Sequence, residues 1–302
     1  MRGFAALRIR VTAPSAHFRV PQTSDPRHTY LVPPYSTVIG FLANILGSKD
    51  DIGRLLAEPF GLGILCRAGA ITQEYTWLRN LSSGSHKERF GTLRNRAYQD
   101  IPEHPGGQQP VTFFILNDVE VLIYLVHPDD RVIATLKENA FRPERWISHL
   151  HLGRSEDWAV LEEVSDAEIS LSSQPNDSRN APLYRQWMPD PGKGAGAFVY
   201  RPQGVEPGDY EDFWERVAGS ANLIASVYRL RGDGGCRDFE YIPVRLFDGS
   251  IPWLAPGRYP RLYCDAEKGV PVFFARIDAR RIGVGEEEKD GVSCQEQRNY
   301  TC

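Results

Sequence analysis

"HFRVPQTSDPRHTYLVPPYSTVIGFLANILG", residues 17–47, sets two histidines, two arginines, two tyrosines and four prolines ahead of an apolar run. Val38, Ile39, Leu42, Ile45 and Leu46 recur at helical spacing, and Gly47 follows them where helices commonly end on glycine. Ser36 is a suitable N-cap, so the pattern predicts a helix from Thr37 to Leu46. Gly40 and Ala43 are small enough to let that helix pack closely on a sheet. Whether 37–46 is helix or strand decides the fold, because strand signals lie on both sides of it.

Upstream, "AALRIRV" (5–11) alternates Leu7, Ile9 and Val11 with Arg8 and Arg10. This reads as a strand with one buried and one basic face. Downstream, "DDIGRLLAEPF" (50–60) is a second short helix limited by Pro59. Strand signals follow at 64–67, 70–78 and 111–116, and "VEVLIYLVHP" (119–128) reads as a buried strand. "DDRVIATLKENAF" (129–141) is helical, and "HLHLGRSEDWAVLEEV" (149–164) holds a Gly-Arg turn, then Ser155 as a cap with acids in the first turn. The second half is rich in strands (167–172, 195–201, 222–230, 238–247, 270–278), with one helix at 209–218 opened by Asp209 and Asp212. This order suggests an α+β sandwich of ferredoxin or RNA-recognition type.

The chain of 302 residues, 41% hydrophobic and 25% charged, is ordinary for a globular protein. It has no run of roughly 18 apolar residues, so no membrane partner is expected. Five scattered cysteines without a C-x-x-C pair suggest neither zinc nor disulfides, and a reducing, cytoplasmic setting fits. Nucleophile-elbow, phosphate-loop and H-E-x-x-H motifs are absent. "HLH" (149–151) lacks a third ligand nearby, and "GKGAGAF" (192–198) lacks the strand and helix a phosphate loop needs. No metal or cofactor is expected.

Net charge is −4, but the charges are segregated. Residues 1–35 hold five arginines against Asp25. Residues 79–98 hold Arg79, Lys87, Arg89, Arg94 and Arg96 against Glu88, while acids pool in "GEEEKD" (285–290). A basic face on an acidic protein suits a local phosphate contact. The polar segment 79–110 between two strands is either a disordered loop or a projecting hairpin. His17, Arg19, Arg27, His28 and Tyr30 run into a helix N-terminus, whose unpaired N–H groups complete an anion site.

The segments "F-R-x-P", "VPPYSTVIGFLANILG" (32–47), the basic insertion and "HLGRSED" (151–157) together resemble the CRISPR-associated family-five subunit of type I Cascade complexes, nearest the type I-B branch. The resemblance covers roughly the first 165 residues. It implies an RNA-recognition-like palm (1–165) with a projecting basic thumb (79–110), followed by a strand-rich part (166–282) and a disordered acidic tail (283–302). It implies a binding subunit that caps the 5′ handle of the guide RNA (crRNA), contacts the backbone and large subunits, and meets target DNA only through the complex. Phe18, Arg19, Pro21 and the helix start at Ser36 would line the handle site. The thumb arginines would lie beside the first guide bases, and Gly153 and Arg154 near the RNA.

One type I-C relative cuts precursor guide RNA. The same activity here would need a base and an acid from His17, His28, His86 and Tyr30. An RNA-free interaction scaffold is the third reading, and it requires both basic segments to be coincidental.

Overall fold

The computed structural model describes residues 3–79, 97–98, 101–102, 108–173, 184–192, 198–231, 236–251 and 254–281. The alternating N-terminal segment is strand β1 (Phe4–Ala16), and Leu7, Ile9, Val11 and Ala13 point into the core. The helices that follow are α1 (Tyr35–Leu46) and α2 (Lys49–Ala57). Strands β2 (Phe60–Arg79) and β5 (Gln108–Val126) then pair over nearly their whole length, with the two-residue strands β3 (Ala97–Tyr98) and β4 (Ile101–Pro102) between them. Helix α3 (Asp130–Asn139) leads into β6 (Val160–Ser172). The rest comprises β7 (Arg185–Pro189), α4 (Tyr210–Arg216), β8 (Ala221–Arg231), β9 (Cys236–Phe247), β10 (Leu262–Asp265) and β11 (Ala275–Ile277).

Nine strands form one antiparallel sheet in the order β10-β6-β1-β5-β2-β7-β9-β8, with β11 also on β2. β5 lies between β1 and β2, with Ile9 opposite Ile123 and Ile123 opposite Ile64. Helices α1, α2 and α3 bury Val38, Leu42, Ile45, Leu55, Val132 and Leu136 against one face of the sheet. On the other face Leu122, Tyr124 and Ile169 meet Val272 and Phe274. That two-sided cover explains why 121–126 reads as an unbroken apolar run.

The expected boundary at 165/166 falls inside β6, and strands from both sides of it share the sheet. The strands flanking the polar segment 79–110 are described. Beyond the last β1 pair, Ala16 with Leu116, the β2–β5 pairing continues to Arg79 opposite Gln108. The thumb residues Lys87, Arg89, Arg94 and Arg96, the side chain of Arg79, His86 and the tail 283–302 lie outside the described residues.

Several local expectations are corrected. Helix α1 begins at Tyr35, not Thr37, because the Pro34 carbonyl already accepts from the Thr37 (3.0 Å) and Val38 (3.2 Å) amides. Ser36 is therefore inside the first turn and caps nothing. Gly40 does not meet the sheet: it is exposed, and a Cβ there would touch nothing within 4 Å. A mid-helix glycine costs about 1 kcal/mol relative to alanine, and no packing contact at this position offsets it.

Residues 152–157 form a turn rather than a helix start, since Asp157 is held inward by other segments. Asp209 precedes α4 without a side-chain cap bond and instead accepts from Arg258 and the Arg261 amide. Of the expected strand at 270–278 only Ala275–Ile277 is regular, and no strand is assigned at 198–201. The basic face expected on β1 is not free. Arg8 is buried (1% exposed) and donates to Asp265 (2.9 Å), Glu163 (2.7 Å) and Glu267 (2.8 Å). Arg10 lies within 4 Å of Glu120, Glu162 and Glu163.

Candidate nucleic-acid interface

The proline-rich stretch after β1 is an ordered hairpin. Val20 donates to the His28 carbonyl (3.0 Å) and Tyr30 to that of Phe18 (2.8 Å). Its return arm docks on the free edge of β5 just past the end of β1: Arg27 donates to the Thr112 carbonyl (2.7 Å), and Phe114 to that of Arg27 (2.9 Å). The chain thus re-enters the ribbon as a third strand and sets Arg27 beside Phe113.

Phe113 is the centre of this arrangement. The guanidiniums of Arg27 and Arg154 lie 5.2 and 5.5 Å from its ring centroid, and the His17 ring meets it edge-on at 5.2 Å. Phe113 is only 5% exposed, so it is a base under the cations rather than an open stacking surface. Gly153 brings the second arginine in. Its φ of +97° is left-handed, and a Cβ would lie 2.4 Å from the His17 carbonyl oxygen, so only glycine fits this turn. Asp157, fully buried, fixes the turn by accepting from the His17 amide (3.0 Å), the Arg154 amide (3.1 Å) and the Arg154 guanidinium (2.9 and 3.1 Å).

Around these groups lies a cleft of about 570 Å³. It brings together His17, Phe18, Arg19, Pro21, Arg27, Tyr30, Ser36, Gly153 and Arg154, nine of the residues singled out from the sequence. Their roles differ. Phe18 is a core residue (1% exposed). Arg154 is largely neutralised by Asp157, Glu156 and Glu74. His28 is absent from the cleft: it stacks on Phe114 (4.7 Å, 11°), and neighbouring strand residues point to opposite faces, so it sits across the ribbon from Phe113.

Arg19 and Arg27 line the cleft together, with Asp25 as an acid near Arg27. Burial, then the Arg19 charge, hold the Arg27 guanidinium below its ordinary pKa, with Asp25 acting the other way. Two like charges in a partly dry cleft favour a bound anion. The first turn of α1 borders the cleft through Ser36 and Thr37. Burial also lowers the pKa of His17, whose Nδ1 lies 2.9 Å from the Phe114 carbonyl oxygen. The neutral imidazole with its proton on Nδ1 fits that contact. Tyr30, its phenol pKa raised by burial, meets Trp187 edge-on at 5.7 Å.

The far wall comes from the β8–β9 hairpin through Leu223, Ala225, Phe239 and Tyr241. Sequence reasoning missed these residues and Phe113. The signal for Phe113 was faint, an aromatic pair in "VTFFIL" beside the basic insertion.

Residues 6–188 match the family model of the CRISPR-associated protein (Cas_Cas5). The chain belongs to that family. The Cas_Cas5 match spans the hairpin, α1, the ribbon and the Gly153–Asp157 turn, and it stops before β8 and β9. Similar solved structures include a chain of a CRISPR RNA-guided surveillance complex (13% identity, covering 84% of this chain and 91% of that one, TM-score 0.46). A CRISPR protein from Archaeoglobus fulgidus is 12% identical over 91% of this chain and 100% of that one (TM-score 0.40). A chain of the type III-B Cmr-beta complex bound to cognate target RNA is 11% identical over 97% and 93% (TM-score 0.40). No curated protein matches the sequence.

Among the described residues no group of three His, Cys, Asp or Glu side chains could hold a metal ion, and no helix is long and apolar enough to cross a membrane. Cys66 and Cys264 are buried free thiols.

Proposed function

We propose that this Cas_Cas5 member is the guide-RNA-binding subunit of a type I CRISPR surveillance complex, nearest the type I-B branch, and that its cleft holds the 5′ handle. The core β6-β1-β5-β2 with α1 and α3 on one face is read as the RNA-recognition-type palm, and the insertion 79–110 carried by the β2–β5 ribbon as the thumb beside the first guide bases, while the subunit as a whole meets the backbone and large subunits. One observation carries the reading: Arg19 and Arg27 converge in one cleft beside the start of α1, with Phe113 beneath Arg27. A string of phosphodiesters is the natural ligand for such a pair beside a helix start.

Binding without cleavage is the favoured reading. His17 is the histidine that lines the cleft, but its ring is buried and its Nε2 is enclosed. A general base must reach the 2′-hydroxyl.

The test uses the full chain and an RNA carrying the CRISPR repeat. The RNA is expected to bind and to remain intact. Arg19→Ala with Arg27→Ala should weaken binding at least about tenfold, or roughly 1.4 kcal/mol. The slope of log K against log salt should flatten by about 1.4, the value for two phosphate contacts on a single strand. Unchanged affinity and slope would make this a structural loop, and cut RNA would establish the endoribonuclease.

A further inference from the structure

The cleft does not end at Ser36. A groove of about 410 Å³ continues from it along α1, sharing Ser36, Thr37, Gly153 and Phe239 with the cleft. Gly40 and Asn44 line it from α1, Ser148 and His151 from the loop after α3, and Tyr228 and Arg237 from the β8–β9 hairpin. We propose that this groove is a second nucleotide subsite, taking an unpaired base and its phosphate from the same RNA strand that the cleft holds. The inference rests on the RNA reading of the cleft.

Three features point to a nucleotide. First, β8 and β9 present a row of aromatic rings: Tyr228 and Phe239 are 5.4 Å apart, and Phe239 and Tyr241 6.3 Å. A shift in register between Ala225 and Tyr228 sets Tyr228 opposite Phe239. The guanidinium of Arg237 lies 4.9 Å from the Tyr228 ring centroid. Rings beside a cation are how single-stranded nucleic acid is gripped without reading its sequence.

Second, Gly40 opens α1 along the groove. Its backbone is ordinary helix and a Cβ would meet nothing, so neither conformation nor packing calls for glycine. A bare backbone suits the close approach of a flat ligand. Third, His151 and Ser148 line the groove with side chains that can donate or accept a hydrogen bond, which suits a base edge.

The volume falls within the ~300–1,000 Å³ common for ligand sites. Continuity with the cleft favours the same strand over a protein segment. The Cas_Cas5 match ends at residue 188, so this wall belongs to the part of the chain outside it.

The experiment measures anisotropy of labelled mixed-sequence single-stranded RNAs of about four and about ten nucleotides on the full chain. Gly40→Leu fills the groove without removing a contact and adds a better helix former. It should weaken the longer RNA about tenfold, leave the shorter one unchanged, and not lower the melting temperature. Tyr228→Ala with Arg237→Ala should give the same pattern without touching α1. Wild-type binding of both RNAs by both variants would overturn the subsite. So would an equal loss on both RNAs. In either case, loss of both RNAs by Arg19→Ala with Arg27→Ala would leave the cleft reading standing. A wild-type chain that binds neither RNA would remove both readings.

Discussion

The carbonyl oxygen of His17 occupies the space where a side chain at Gly153 would begin, 2.4 Å from an ideal Cβ. Two segments 140 residues apart in sequence are locked here, since Asp157 also accepts from the His17 amide. Gly153→Ala must therefore displace backbone as well as adopt a left-handed φ. It should cost clearly more than Gly204→Ala, whose φ of +73° is similar but whose Cβ would meet nothing. The control should lose roughly 1–2 kcal/mol from conformation alone, and the Gly153 variant more, with RNA affinity falling too. Urea unfolding of both variants checks it, and equal costs would show that the close approach is harmless.

Ser36 provides a second separation of roles. If it were the helix cap, Ser36→Ala would cost ~0.5–2 kcal/mol. The structure places it within the first turn with no capping bond. The variant should change stability by less than about 0.5 kcal/mol. A larger fall in the urea midpoint would restore the capping role.

Acid should weaken the fold through the Arg8 cluster. Hydrogen bonds from Arg8, then from Ser165, hold the Glu163 carboxyl down at about 2 against an ordinary 4.5. Asp265 shifts the same way: burial opposes its charge, but the Lys268 amide, Arg8 and Tyr124 outweigh it. A depressed carboxylate contributes stability that is complete above its unfolded value and is lost as pH falls through its folded value. The melting temperature should thus drop between about pH 4.5 and pH 2. Arg8→Met strands the fully buried Asp265 and should cost roughly 3–5 kcal/mol at neutral pH. Its acid limb should be shallower than that of the wild type, and parallel limbs would show the cluster is not the source.

What the sequence revealed followed the reach of its signals. The spacing of Val38, Ile39, Leu42, Ile45 and Leu46 made α1 legible, and the alternation of Leu7, Ile9 and Val11 made β1 legible. Both are local periodicities. The role of Arg8 was not legible, because its partner Asp265 lies 257 residues away and no local pattern marks a strand as covered on both faces. Counting arginines in residues 1–35 merged Arg8 and Arg10, which meet acids from β1, with Arg19 and Arg27, which line the cleft. Arg19, Arg27, Tyr30 and Gly153, singled out by turn chemistry and charge, line the same cleft. The β8–β9 wall was missed because its exposed aromatics look like ordinary strand residues until folding sets them against α1.

Phe113 gives the sharpest test of how the cleft is built. It is buried beneath two guanidiniums and an imidazole, so its substitution has separable effects. Phe113→Ala opens a cavity and should cost roughly 3–5 kcal/mol, which would mask any effect on RNA. Phe113→Leu keeps most of the apolar volume, and its stability cost should stay below about 1.5 kcal/mol. What leucine removes is the ring face that holds Arg27 and Arg154. A cation–π contact of ~0.5–2 kcal/mol corresponds to roughly 2- to 30-fold in affinity. Phe113→Leu should therefore weaken RNA binding within that range while the salt slope stays near wild type, because both charges remain. Combined with Arg19→Ala and Arg27→Ala, the leucine variant should add little further loss, since the ring acts through the cation above it. Full additivity in that triple variant would show that Phe113 meets the RNA independently of Arg27.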